Sequence, residues 1–485
     1  MGSSGRLAAL VCGALVVVPT SGWAAGPVTG EELAELPELS GSWSSSGSQE
    51  VASGPWWSEF GDSHLDELIR RGVHGNPDLA AARGVVDISR ASANQARAGL
   101  LPTVVASASI TEAPMSSLSS SMGSAGLDED DSFRQGSVGV SASMGVDIFG
   151  RTTTSWRAGV HEAEASGGDL AAASLNLTAN IARSYFDVVA GRELLSLYQQ
   201  QVEANEQILR LTELRYGTSG DATGLDLLQQ RQQTAAARSR LPQAEMSLSL
   251  ASQRLGVLIG AGPLAVDLGV ATELPSLAET PNLGTPAELL ERRPDLRAAA
   301  SRLDGAHLRK ISAMLALAPS ISAQGSWGQQ FLDLGLDDDS DIWSDTWSVG
   351  LSASIPLFTG GAALSGLQAA RASELIAARS AESAILRAMQ EVEGALEQER
   401  SLNALLDASR AQLEAAEAAF DNASERYGQG LITYQQVLTS LTSLQSAQLS
   451  ELTTRRDLLD ARISLHTALG GSGVAGLDAP NGADR

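Results

Sequence analysis

Cysteine, lysine and aromatic residues are all scarce in this chain, and each shortage closes off a class of explanation. The one cysteine, Cys12, lies in an apolar run near the start, so nothing beyond that run can build a disulfide framework or a thiol nucleophile. Lys310 is the only lysine, and 33 basic residues face 57 acidic ones for a net charge of -24. That balance argues against a nucleic-acid partner. Phe, Tyr and Trp make up 4% of 485 residues, while Ala and Leu are abundant. Such a chain packs helix on helix through small side chains, which predicts one elongated, repetitive body in place of several globular domains.

No catalytic constellation is legible. His64, His74, His161, His307 and His466 are dispersed, and the first two, ten positions apart, would lie about 15 Å from each other on a helix, too far to share a metal. Acidic pairs such as Glu391/Glu393 and Asp457/Asp460 are tied to no histidine, lysine or nucleophile motif. Gly260-Ala261-Gly262 and Gly470-Gly471-Ser472-Gly473 lack the strand context and the Lys-Ser/Thr ending of a phosphate loop. No enzyme, cofactor or metal site is expected.

What is present is an echo. Asn76-Pro77-Asp78-Leu79 is followed 25 residues later by Leu101-Pro102, and Arg293-Pro294-Asp295-Leu296 is followed 25 residues later by Ala318-Pro319. Phe149-Gly150-Arg151 precedes Arg215-Tyr216-Gly217 by 66 residues, and Phe358-Thr359-Gly360 precedes Arg426-Tyr427-Gly428 by 68. Matching motifs at matching spacing predict an internal two-fold repeat. The expected division is a signal peptide at 1–25, an extended arm at 26–60, a first repeat at 61–262, a linker at 263–285, a second repeat at 286–470 and a flexible tail at 471–485. The signal reading rests on Arg6, the apolar run Leu7 to Val18, too short to cross a bilayer, and the small-x-small site Gly22-Trp23-Ala24. Lipid attachment would need a cleavage box ending at Cys12, and only Leu7 to Val11 precedes it. Pro55-Trp56-Trp57 is expected to anchor the arm.

Helical periodicity runs from His64 to about Gly99. Four segments then alternate apolar with small polar residues, at about 102–110, 137–147, 319–327 and 348–357, the pattern of strands with one apolar and one polar face. Soluble sheets and membrane-crossing strands of roughly 9 to 11 residues share that pattern. In a membrane, four strands cannot close a barrel, and lipid tolerates no unpaired edge, so several chains would have to pool their strands. The loops 111–132 and 328–347 are Ser/Gly/Asp rich, with Asp337-Asp338-Asp339 in the second. Proline is absent from Thr152 to Tyr216 and from Ala362 to Tyr427, so each stretch could form one helix of about 95 to 100 Å. Return helices are expected from Leu225 to Leu258 and from Thr433 to Leu469, with the turns between as far tips.

At those tips Gly217, Gly220, Gly224, Gly428 and Gly430 can reverse the chain by adopting positive φ. Arg215 and Arg426 sit near helix C-termini, where positive charge is favoured. Two readings stand side by side: helix capping alone, or a latch in which Arg, Tyr and Asp226 bond between helices and hold a tube end closed.

The ordered motifs resemble those of the outer-membrane efflux protein family, the TolC-like channels, in the branch serving tripartite exporters of the resistance-nodulation-division type. They are Trp56-Trp57-x-x-Phe60-x-Asp62, Asn76-Pro77-Asp78-Leu79, Leu100-Leu101-Pro102, Val146-Asp147-Ile148-Phe149-Gly150-Arg151, Arg215-Tyr216, Leu225-Asp226, Arg292-Arg293-Pro294-Asp295-Leu296, Ala318-Pro319-Ser320-Ile321, Ile355-Pro356-Leu357-Phe358-x-Gly360-Gly361 and Arg426-Tyr427-x-x-Gly430. The resemblance implies a mainly α chain whose long antiparallel helices form a periplasmic α-barrel. Its four strands join those of two other copies in a homotrimeric, 12-stranded outer-membrane β-barrel. It further implies a passive exit duct for drugs, metals or other small molecules, a periplasmic membrane-fusion adaptor and an inner-membrane transporter as partners, and gating at the tips. Relatives often carry an acidic residue after the second tip glycine, where this chain has Gly430-Leu431-Ile432-Thr433-Tyr434, so the expected gate is apolar, at Leu431 or Ile432. Tyr427 and Tyr434 complete the expected tip. Replacing Tyr216 or Arg426 by Ala is expected to loosen the closed end. The competing reading is a secreted, non-channel coiled-coil protein, structural or adaptor-like.

Overall fold

The computed structural model describes residues 43, 54–114, 132–218, 222–263, 273–277, 280–281, 283–333 and 342–472. The signal peptide, nearly all of the arm up to residue 53, parts of the linker and loops (Asp337-Asp338-Asp339 included), Gly220 and the tail from 473 lie outside the described residues.

Two helices open the described chain, α1 (Ser63–Gly75) and α2 (Pro77–Ala98), where periodicity alone predicted one. The break has a local cause. The Asn76 carboxamide accepts from the Asp78 and Leu79 amides, and Pro77 occupies the first position of α2, where its missing N–H costs nothing. Hairpin β1 (Thr103–Pro114) and β2 (Ser132–Val146) leads into α3 (Arg151–Thr218), and α4 (Gly224–Leu258) returns beside it. The second half follows the same order. It runs through α5 (Leu289–Arg292), α6 (Pro294–Leu315), β3 (Ser320–Asp333), β4 (Ile342–Ser354), α7 (Ala362–Gly428) and α8 (Tyr434–Ala468). With 68 and 67 residues, α3 and α7 each reach about 100 Å at 1.5 Å per residue.

The strands extend further toward the hairpin tips than alternation indicated, because Phe133, Arg134 and Gln330 to Asp333 pair although their polarity is irregular. At the opposite end β4 stops at Ser354, and Pro356, which has no N–H to give a ladder, lies outside it. All four strands form one antiparallel sheet in the order β1-β2-β3-β4. Register places Val104, Ile110, Val138, Val140, Trp327, Trp347, Val349 and Leu351 on one face, interrupted by the Gln329–Asp345 hydrogen bond of 3.0 Å. The opposite face carries serine pairs, Ser109–Ser137, Ser322–Ser352 and Ser326–Ser348, at 2.7 to 2.9 Å. Those large apolar side chains are exposed, and β1 and β4 each keep one edge without a partner among the described residues.

Each long helix spans two levels. Toward the sheet α3 packs on α2 and α6, and α6 on α7; toward the tips α3 packs on α4 and α8, and α8 on α7. Toward the tips the packing order is therefore α4-α3-α8-α7, with α4 and α7 at its borders, and at the very ends α3 also meets α7 and α4 meets α8. Midway, Trp56, Trp57 and Phe60 join α1 and the middle of α3 in the largest core, and Trp43, Leu289 and Leu296 join α7 in a second. Arg462 is fully buried there, its guanidinium bonded to Glu399 at 2.6 and 3.1 Å and to Glu59. His466 Nε2 meets Glu59 at 2.5 Å, beneath the Trp56 ring. Burial pushes the Glu59 carboxyl up, but the hydrogen bond to His466 and the charges of His466 and Arg462 outweigh it and hold it below its ordinary value. The tryptophan-bearing segment is thus tied to α8 by charge as well as by area.

Candidate functional site: the helix tips

Four helix ends converge where α3 meets α4 and α7 meets α8. Ile208, Ala423, Tyr427, Tyr434, Val437 and Leu441 form a small buried cluster, with Ile432 packed against it. The sequence folds this way because inward positions on α3 recur at three- and four-residue steps: Gln201, Asn205, Ile208 and Thr212 are all buried. Three of those four are polar, and each has a partner. Thr212 Oγ1 lies 3.2 Å from Tyr427 Oη and bonds to Ile208 O. Gln230 of α4 donates to Asn205 O at 2.9 Å and accepts from Tyr434 Oη at 2.9 Å. Burial, with smaller contributions from Tyr427 and Asp226, pushes the Tyr434 hydroxyl up to about 12.

Arg215 completes the cluster. Its Nη1 donates to Tyr427 O at 2.8 Å, and its guanidinium carbon lies 4.3 Å from the centre of the Tyr427 ring. One side chain therefore caps the Tyr427 carbonyl at the end of α7 from α3 while stacking on the ring that fills the cluster. Capping and interhelix bonding, the two readings open in the sequence, are here one contact.

The other expected tip residues divide. Asp226 faces its own helix: its carboxylate accepts from the Thr223 amide at 2.8 Å, and Thr223 Oγ1 accepts from the Asp226 amide, a capping box and not a bond between helices. Tyr216 is half exposed and Arg426 is exposed, and among the described residues neither side chain bonds across the tip. Gly430 alone of the described tip glycines has positive φ, at 76°; Gly217 and Gly428 end helices and Gly224 begins one, all with ordinary helical backbone. Leu431 projects with 69% of its surface exposed, whereas Ile432 packs inward. Sequence reasoning missed Thr212, Gln230 and Asn205. The three- and four-residue steps through Gln201, Asn205, Ile208 and Thr212 were the available signal for two of them.

Among the described residues no helix is long and apolar enough to cross a membrane, and no group of His, Cys, Asp or Glu could hold a metal ion.

Comparison with known proteins agrees with this architecture. The model of the outer membrane efflux protein family matches residues 68–261 and again 285–471. The pyoverdine export outer membrane protein OpmQ of Pseudomonas aeruginosa is 31% identical, over 86% of this chain and 87% of the relative. The probable efflux pump outer membrane protein TtgC of Pseudomonas putida is 28% identical over 86% and 84%. Among solved structures, the outer-membrane channel OprN superposes with a TM-score of 0.78 at 26% identity, covering 88% of this chain and 97% of OprN. The open state of the Neisseria gonorrhoeae MtrE outer membrane channel gives 0.75 at 25%, covering 90% and 96%. The secreted-scaffold reading is thereby set aside. A conduit and not an enzyme, this chain belongs to the outer membrane efflux protein family, as the outer-membrane channel component of a tripartite efflux system of the resistance-nodulation-division type, with its long helices in the periplasm.

Proposed function

We propose that three copies of this chain form one passive exit duct, each giving four strands to a 12-stranded barrel and its helices to a tunnel beneath. The sheet carries this reading. It is apolar on one face and serine-lined on the other, and it ends in two strands that each keep one edge without a partner among the described residues. Lipid can accept the apolar face but not the edges, since each unsatisfied backbone group there costs several kcal/mol. An even strand count solves the problem, because β4 of one copy runs antiparallel to β1 of the next and the alternation continues around the ring.

The two halves are copies of one unit. Asn76 and Arg293 occupy the same place in their motifs, and each donates to a carbonyl at the end of a returning helix, Asn76 to Leu258 O at 3.0 Å and Arg293 to Ala468 O at 2.9 Å. Gly260 passes Gly75 O and Gly470 passes Arg292 O so closely that a Cβ would sit 2.1 and 2.9 Å from them. The same family description matching twice along the chain supports the same reading. The repeats span 61–262 and 286–470, joined by the linker 263–285.

At the tips, Arg215 and Tyr427 act as the latch, Gln230 and Tyr434 tie α4 to α8, and Leu431 narrows the passage. A periplasmic adaptor docks near these ends, and an inner-membrane transporter supplies the energy for drugs, metals or other small molecules that leave without chemistry in this chain. Reconstitution into liposomes tests the duct: the protein makes them permeable to small sugars in a swelling assay. Vesicles that incorporate the protein yet stay impermeable even with Arg215 replaced by Ala contradict it.

A further inference from the structure

On α3, the residues facing the core of α1 and Trp56–Phe60 include Ile181, Tyr185 and Val189. About opposite them on a helix of 3.6 residues per turn, Asn180, Arg183, Asp187, Gly191 and Leu194 line a groove whose walls are α4 and α8. Two adjoining cavities of about 410 and 440 Å³ share Asp187, Arg254 and Arg456. In the tip-level order α4-α3-α8-α7 a neighbouring copy can add only at α4 or α7, so the groove, one helix in from the border, stays open. In the duct proposed above, on which this inference rests, it lies on the wall turned away from the outer core, toward the lumen.

The groove has two chemistries. Its end nearer the sheet holds three guanidiniums. Arg183 is bonded to Asp460 at 2.6 Å and to Ser464 at 2.9 Å, and Arg456 to Asp187 at 2.7 Å and Asp457 at 2.9 Å. Arg254 is exposed at the boundary of both cavities and, among the described residues, makes no hydrogen bond or ion pair. The other end is apolar, lined by Leu194, Leu250, Leu449 and Leu452. Carboxylates engage the other two arginines, which leaves Arg254 as the one guanidinium of the groove with no carboxylate partner among the described residues, beside a hydrocarbon trough of small-molecule size. We infer that this groove is a binding station for cargo in transit, and that the cargo it takes is a small amphipathic monoanion, a sulfonate or carboxylate on a bicyclic or short alkyl body. Arg254 pairs with the acid group, and the leucines hold the body.

Single-channel recording in planar bilayers tests this, with Arg215→Ala in the background to keep the tips open and 1-naphthalenesulfonate as the probe. The expected result is concentration-dependent reduction of current. Arg254→Gln raises the half-blocking concentration by about tenfold, the loss of one charge-assisted pair at a hydrated site, and Leu250→Gln also weakens block. Neutral 1-naphthalenemethanol blocks poorly in every variant. Equal block of the Arg254→Gln channel, or equal block by the neutral probe, overturns the station while leaving the duct intact. Absence of any conductance overturns the duct, and the station with it.

Discussion

Replacing Arg215 by Ala removes two contacts at once, the hydrogen bond to Tyr427 O and the stacking on the Tyr427 ring. A hydrogen bond from a charged donor contributes roughly 1.5–3 kcal/mol, and a cation over an aromatic face about 0.5–1 kcal/mol at an exposed site. Arg215 is only half-buried, so the lower ends apply, giving about 2 kcal/mol per chain. At 1.4 kcal/mol per decade, that shifts a closed-to-open equilibrium by about thirtyfold. If three tips open together, well-separated losses add, and the total reaches about 6 kcal/mol. The assay is open probability in planar bilayers, where the variant gates open far more often than the parent. Arg426→Ala is the control, since its side chain is exposed and bonds to nothing across the tip among the described residues. Arg215→Lys falls between, keeping charge but losing the planar fork that reaches carbonyl and ring together. Unchanged open probability for Arg215→Ala, or an equal rise for Arg426→Ala, refutes the reasoning.

Three other outcomes follow from the same geometry. Burial pushes the Tyr434 hydroxyl up to about 12 by disfavouring its ionised form, so the stability linked to the protonated hydroxyl is fully present below the ordinary tyrosine value of about 10 and is lost as pH rises through about 12. Absorbance near 295 nm in the parent minus Tyr434→Phe should show that late step, and a step near 10 contradicts it. Gly430→Ala costs about 1–2 kcal/mol from positive φ alone, because an added Cβ meets nothing closer than Arg215 Nη2 at 3.8 Å; Gly428→Ala, helical and unobstructed, leaves the melting temperature unchanged or raises it. The Glu59 carboxyl is held below its ordinary value, so the stability it contributes is present above the unfolded pKa and disappears as pH falls through the folded one. The melting difference between the parent and Glu59→Gln should therefore shrink on acidification, and a constant difference down to about pH 3 contradicts it.

Much of the architecture was legible because its signals are local. Val138, Val140, Ala142, Met144 and Val146 alternate cleanly, and the proline-free stretches became the two long helices. The break at Asn76-Pro77 was equally local, a capping carboxamide followed by proline, but continuous periodicity on both sides masked it. Thr223-x-x-Asp226 likewise spells a capping box, which competes with the bond between helices that the latch reading gave Asp226. The tip itself was only half readable. Arg215 stands out by its mirrored position, but its acceptor is a backbone carbonyl 212 residues away, and backbone acceptors leave no mark in a sequence. Gln230 and Tyr434 are 204 residues apart and meet only because both returning helices lie along α3.

Native mass spectrometry of the detergent-extracted protein tests the central claim most directly. The account predicts a particle of three chains, because only neighbours can satisfy the free edges of β1 and β4. A folded single chain, stable in membrane-mimicking detergent with both edges unpaired, would contradict it.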